Sequence, residues 1–454
     1  MDVHSTHTEG PTIPTQTATV AVVGAGLAGL TAARALHLAG VDVLVLEAAD
    51  RSGGRAMSET TALGSRVDLG GQWIGHDHHR IASLAAELGA TQFRMHTTPM
   101  PTILDGARRV SLSAPPMLAT AGLLLCLEAL SHIHPPQRWA AKTVADWLAK
   151  VPWRTSRRAL ELIALTSWTA DLDRFSVKAM LKAIRLQGGL RTMLSTTGGA
   201  QESLLVEGVG TLVDRLADEM GPRIRLGHRV TSIVRDADGI TLSTTAGTIQ
   251  AAKVVVTVPP PLLNRINFLP SLPTDLIAIA TSTYMGSVYK AIAVFDRPFW
   301  RDHGTNAQIM VLDSPGIAVF DTSPPDGPGH LCMLVAGPRA RALDQLDATS
   351  RRETVLGPLV SQLGAELLKP VSWHEKAWHL DDNVGGGYTA LPEPGITDAG
   401  MPLAFTPVGG IHWAGSESAV DHPGYLDGAI ESGTRVAREV LDVLLKQRNE
   451  VTPR

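Results

Sequence analysis

Two cysteines, Cys126 and Cys332, are all that the 454 residues contain. A disulfide framework is thereby excluded, and a reducing compartment, the cytoplasm, is expected. Charge of one sign is not in excess: 40 Lys and Arg face 44 Asp and Glu. That balance argues against a nucleic-acid partner, which would demand a basic stripe. No run is apolar for long enough to span a bilayer; the nearest, residues 117–130, is too short and carries Glu128. It reads as a buried or entrance-lining helix, with a membrane-dipping helix as the alternative. The polar residues 1–17 lack the apolar region of a signal peptide and read as a disordered tail, and 447–454 as a second tail without a membrane anchor. No repeat or low-complexity tract is present, and the length suffices for two domains.

What is present is organised around residues 19–55, TVAVVGAGLAGLTAARALHLAGVDVLVLEAADRSGGR. A β-branched run leads into Gly24, Gly26 and Gly29. The first allows a tight turn, the second removes a Cβ that would block a pyrophosphate, and the third lets helix pack on strand. The helix N-terminus offers free N–H groups to a diphosphate. It is expected to end near Gly40. A second buried strand, 41–46, ends on Glu47, which can accept from both ribose hydroxyls of an adenosine. The continuation Asp50-Arg51-Ser52-Gly53-Gly54-Arg55, then Asp68-Leu69-Gly70-Gly71, resembles the second phosphate-side loop of glutathione-reductase-like flavoproteins, and so implies FAD rather than NAD.

Farther along, 80–88 has helical spacing, and 93–206 reads as mostly helical with proline breaks at Pro115-Pro116, Pro135-Pro136 and Pro152. Strands are expected at 224–234, 240–244 and 253–258, then at 288–295, 308–312, 316–320 and 331–335. The segment 410–413 reads as a strand, and Gly424 opens a long helix with a second set of N–H donors. The expected fold class is α/β: an FAD-binding Rossmann-like (glutathione-reductase-like) domain interleaved with a mixed-sheet plus helical substrate domain. The first takes 18–92, 206–280 and 381–446; the second takes 93–205 and 281–380.

The stretches VVGAGLAGLTAARAL…VLEAADRSGGR, VDLGGQW, STTGGAQESLLVEG, VVVTVPP, GSVYKAIAVFDRPFW, GGGYTALPEPGI and HWAGSES…HPGYLDGAIESGTRVAREVL carry a wider resemblance. Over residues 18–446 the chain resembles the flavin-containing amine oxidases, and within them the monoamine oxidase branch. The resemblance implies oxidation of a primary or secondary monoamine to an imine, then an aldehyde, with dioxygen reduced to hydrogen peroxide. It implies Lys290 as the lysine that holds a water against the flavin, and Tyr388 and Tyr425 as the facing rings of an aromatic cage. It places Gly24, Gly26, Gly29, Glu47, Arg55, Gly70, Gly71, Gln72, Trp73, Val230, Trp378, Gly415, Ser416, Glu417, Gly424, Tyr425 and Leu426 at the cofactor. Ser167, Trp168, Leu194, Gln201 and Phe320 would line the substrate cavity. One departure stands out: Gly387 occupies the position of the cysteine that attaches FAD covalently in the mitochondrial enzymes, so non-covalent FAD is expected.

The partners implied are a small-molecule amine and dioxygen, with a homodimer left open. His76, His78 and His79 read as a solvated loop, and no metal is expected. Two alternatives remain at this stage: an amino-acid oxidase or carbon–carbon desaturase on the same fold, or a non-catalytic FAD-binding scaffold.

Overall fold

The computed structural model describes residues 16–98, 100–396 and 405–451. The strand Gln16–Val23 pairs in parallel with Val43–Leu46 on one side and Gly247–Val256 on the other. Its last four residues are all buried, as a strand covered on both faces requires. Around this centre runs an eight-stranded sheet in the order Asn267–Leu269, Val230–Asp236, Gly239–Thr244, Gly247–Val256, Gln16–Val23, Val43–Leu46, Ile224–Arg225, and Ile411–Trp413 pairs with the end of Gly247–Val256. The sheet therefore draws on three separated parts of the chain. Helices Leu27–Leu38, Val209–Met220 and Leu426–Val451 cover one face through Leu30, Leu36, Leu212, Leu216, Val436 and Val440.

A second, seven-stranded sheet runs Ser372–Ala377, Val288–Phe295, Gly329–Ala336, Ile317–Asp321, Ile309–Val311, Thr102–Asp105, Arg108–Val110. One face packs on Phe295, Phe299, Trp300 and the apolar side of Ala348–Leu356. The other presents Val288, Ile292, Leu334 and Phe320 to Leu69, Trp73, Trp378 and Tyr388. Beside it, helices Pro115–Ser131, Arg154–Trp168 and Val177–Leu186 share a separate apolar cluster.

Several expectations need correction. Gln16 and Thr17, read as tail, pair with Ile249 and Gln250; residues 1–15 lie outside the described residues. At the other end the helix Leu426–Val451 runs into the expected tail at 447–454, carried on by the amphipathic repeat of 426–444. The stretch 93–206 is less helical than its composition suggests. Gln92–Arg94 pairs with Ser203–Leu205, and the hairpin of Thr102–Asp105 with Arg108–Val110 completes the second sheet. Pro115 and Pro116 begin a helix rather than break one, because the first helical residues need no N–H partner. That helix buries Met117, Thr120, Leu127 and Ser131 but leaves Leu118 and Leu125 exposed. No helix among the described residues is long and apolar enough to cross a membrane.

The crossing of helices Leu27–Leu38 and Leu426–Val451 depends on a glycine. A Cβ on Gly433 would lie 2.4 Å from the Ala28 carbonyl oxygen, whereas one on Gly122 would meet nothing within 4 Å. Gly433→Ala is expected to lower the melting temperature by several degrees. Gly122→Ala should leave it unchanged or raise it slightly, since alanine costs less in a helix. Thermal melts of the two variants check the contrast.

Candidate active site

The glycine-rich turn forms because two residues there tolerate no side chain. Gly24 has φ +107°, and a Cβ on Gly29 would lie 2.0 Å from the Gly24 carbonyl oxygen. Gly26 differs: its nearest atom beyond its neighbours is the Gly53 carbonyl oxygen, 3.9 Å from the Cβ position, so its bare Cα faces a cleft. That cleft is lined by Gly24, Gly26, Glu47, Arg55, Val230, Gly415 and Ser416, all expected at the cofactor. Arg51, Arg229, Arg265 and Asn383 line it too and were not singled out. Arg51 stood in the quoted ADRSGGR run, but Asn383 carries no local signal; it accepts from the Arg229 guanidinium at 2.6 Å. Buried Glu47 accepts the Ala25 N–H at 2.6 Å and the Ala49 N–H at 2.9 Å, clamping the turn to the second strand. A long cleft with a bare glycine, a helix N-terminus and flanking guanidinium groups fits a dinucleotide.

At the other end of the cleft, Arg55 donates to both oxygens of Glu417, at 2.7 and 3.0 Å, and to the Tyr388 carbonyl at 2.6 Å. Glu417 also accepts the Ala390 N–H at 3.3 Å. Burial pushes the Glu417 carboxyl up, yet the Arg55 charge and hydrogen bonds outweigh it and leave the pKa below the ordinary range. The Arg55 carbonyl accepts the Gly71 N–H, while Gly70 is so close that a Cβ would lie 2.0 Å from that same carbonyl oxygen. Behind it, Leu426 packs on Gly71.

Lys290 is buried on the all-buried strand Val288–Phe295. Its ammonium donates to the Gly70 carbonyl at 2.9 Å and to the Gln72 side-chain oxygen, and lies 5.5 Å from the Trp73 ring centroid. Burial lowers its pKa. Trp73 meets Phe320 edge to face at 5.1 Å, and Trp378 donates to the Leu69 carbonyl at 2.7 Å. Tyr388 and Tyr425 come from the two segments that Glu417 and Ser416 tie together, the latter accepting the Gly424 N–H. The Tyr388 hydroxyl is buried without a hydrogen-bond partner among the described residues. Burial raises the pKa of both phenols.

The expected cavity residues scatter more. Phe320 and Ser167 are half-buried, as is Gln201, whereas Leu194 is exposed. Trp168 turns into the helical cluster, packing on Phe175 and donating to Gln187 at 3.3 Å. The histidine loop needs a correction. His76 and His79 are exposed, but His78 is buried, with its ring 4.6 Å from that of His422 and 4.9 Å from that of Tyr425. Burial and the neighbouring His422 push the His78 pKa down to about 4. His422 lies too far along the chain for spacing to reveal the contact. Asp77, His78 and His422 bring ligand-type atoms within 4.8 Å of one another. They do not suit a metal ion as arranged: His78 Nδ1 accepts the Gly75 N–H at 3.0 Å, so its neutral ring carries the proton on Nε2 and offers no free lone pair.

The chain matches the sequence profile of flavin containing amine oxidoreductases over residues 27–441. It is 33% identical over 455 residues to AofH of Mycobacterium tuberculosis, described as a flavin-containing monoamine oxidase, covering 96% of this chain and 99% of that protein. It is 31% identical over 466 residues to amine oxidase [flavin-containing] B of Sus scrofa, covering 94% and 86%. Among solved structures it is similar to cyclohexylamine oxidase from Brevibacterium oxydans, with TM-score 0.89 and 27% identity over 94% of this chain and 99% of that one. It is also similar to putrescine oxidase bound to putrescine, with TM-score 0.84, 27% identity, and 94% and 100% coverage.

Glu417→Gln is expected to cost about 3 kcal/mol at neutral pH, because it leaves Arg55 without its buried counter-charge. The folded-state carboxyl is depressed, so its contribution is full above the ordinary carboxylate range and lost as pH falls through the lower folded-state value. The gap between wild type and variant should therefore narrow in acid. Melts at a series of pH values measure it, and a constant gap would contradict the assignment.

Proposed function

The chain belongs to the flavin-containing amine oxidoreductases, and from that premise we propose that it oxidises a primary or secondary monoamine to an imine, which hydrolyses to an aldehyde. Dioxygen is the acceptor and hydrogen peroxide the second product. The observation that carries the reading is the anchoring of buried Lys290 and half-buried Tyr388 and Tyr425 to the segments that close the nucleotide cleft. When bound, FAD supplies the two-electron acceptor for the amine and the reactivity toward dioxygen.

The chain's own residues prepare the site. Gly24 and Gly29 shape the turn so that the bare Gly26 would let the backbone approach the diphosphate, Glu47 would accept from the adenosine ribose, and Arg51 with Arg229 would offset the phosphate charge. The phenol faces of Tyr388 and Tyr425 steer the amine, and attract it electrostatically while it is still cationic. Deprotonation of the ammonium must precede oxidation, and beyond it no general base is needed. An ammonium has three N–H donors; two of those on Lys290 go to Gly70 and Gln72, and we assign the third to a water at the flavin. Apolar and aromatic walls at Trp73 and Phe320 favour arylalkyl or alkyl monoamines over substrates with a second charge.

Gly387 supports non-covalent FAD for a reason beyond its identity. A Cβ there would lie 2.1 Å from the Thr169 hydroxyl oxygen. Thr169 is itself fixed in the left-handed region at φ +57°. A cysteine at 387 therefore has no room unless this corner moves. The division into an FAD-binding domain at 18–92, 206–280 and 381–446 and a substrate domain at 93–205 and 281–380 belongs to the same proposal. So does a cytoplasmic location, supported by the two free thiols.

Acid precipitation is expected to leave the yellow flavin in the supernatant; colour retained in the pellet would contradict a non-covalent link. With a panel of amines, peroxide and aldehyde should appear in equal amounts, most rapidly from arylalkyl or alkyl monoamines. Lys290→Met should keep its FAD but lose at least about tenfold in turnover, as removal of a positioned charged donor does. Unchanged turnover would remove Lys290 from the mechanism.

A further inference from the structure

The GHDHHR segment has no part in the chemistry above, yet it places a buried imidazole against a cage ring. His78 is 2% exposed, and its ring meets that of Tyr425 at a centroid distance of 4.9 Å with the planes 60° apart. Its other neighbour, His422, stands at 4.6 Å and 61°. His422 is held at φ +51°, accepts the Tyr425 N–H at 3.1 Å, and would be struck by any Cβ on Gly428, 2.3 Å from its carbonyl oxygen. The imidazole of His78 is thus seated between a strained turn and the ring that follows it.

Two further bonds fix the seat. The Gly75 N–H donates to His78 Nδ1, which sets the imidazole plane. Just beyond, the fully buried Asp427, two residues after Tyr425, accepts the N–H groups of Arg80 and Ile81 at 2.7 and 3.0 Å and caps the helix His79–Glu87. The Asp427 carboxylate also takes the Arg80 guanidinium at 3.0 Å. The segment carrying His78 and the turn carrying Tyr425 are therefore tied together.

We propose that His78 is the positioning residue for the Tyr425 wall of the amine site, its ring holding the phenol at the angle that the substrate meets. The proposal rests on the reading of Tyr425 as a cage residue. A ring that edges against Tyr425 restricts its swing; without it the phenol is free to turn toward the space vacated, and the amine binds a looser wall.

Two variants separate the ring from the hydrogen bond. His78→Phe keeps an aromatic edge but loses the acceptor for Gly75, and His78→Asn keeps an acceptor but loses the ring; His78→Gln replaces Asn should that variant fail to fold. The holoenzymes are mixed anaerobically with benzylamine, and flavin reduction is followed per bound flavin as a function of amine concentration. The amine dissociation constant should stay within about twofold of wild type for Phe and rise about threefold to tenfold for Asn, the range an aromatic edge contact supports. Melting temperatures of both should fall together, so stability alone does not track the effect. An Asn variant that binds amine like wild type, or equal losses in the two variants, would overturn the role of the ring. If no amine reduces the wild-type flavin, the amine-oxidase reading fails instead, and the two failures are distinct.

Discussion

The ion pair between half-buried Arg55 and buried Glu417 is the constraint on which the rest of the site depends. Its partners are 362 residues apart in the chain. Arg55 closes the nucleotide loop, and Glu417 lies between the last strand of the first sheet and the C-terminal helix. Through one guanidinium and one carboxylate, the Tyr388 carbonyl and the Ala390 N–H are held as well. A buried carboxylate is tolerated only when its charge and lone pairs are met, and here they are. The pair therefore does more than stabilise: it ties the nucleotide loop to the segment that carries Tyr388.

From that junction the geometry around Lys290 follows. The Gly70–Trp73 segment passes between Arg55 and the second sheet, giving its backbone to Arg55 on one side and to Lys290 on the other. A charged residue on a strand buried on both faces would be a fault in most sheets. Here Lys290 is met by two acceptors from a single neighbouring segment, so the ammonium is satisfied in a place that burial disfavours. Thr169, from the helical layer, fills the space a side chain at Gly387 would take, and so settles the path of the loop before Tyr388.

Much of this was legible in the sequence because the signals are local. The strand–GAGLAG–helix unit, the strand 288–295 and the apolar face of the last helix each announce themselves within a few residues. The lysine and the two tyrosines are singled out by resemblance alone, since a single lysine in a strand has no distinctive spacing. What stayed hidden depends on contacts between distant segments. The short strand Thr102–Asp105 is recognisable only once Ile309–Val311 is beside it. His78 reads as solvated because polar neighbours surround it in sequence, while its cover, His422 and Tyr425, comes from the far end of the chain. Trp168, expected at the cavity by resemblance, packs on Phe175 in the helical cluster, a contact that no local spacing shows.

The central claim is that an amine, held before the flavin by Tyr388 and Tyr425, gives up two electrons to it. The most direct measurement is the visible spectrum of the purified yellow protein, recorded without oxygen as an arylalkyl monoamine is added. The account predicts full bleaching of the oxidised flavin bands at one equivalent of turnover, with the colour restored on admitting air. A flavin that no monoamine bleaches would contradict it and leave the two tyrosines as packing.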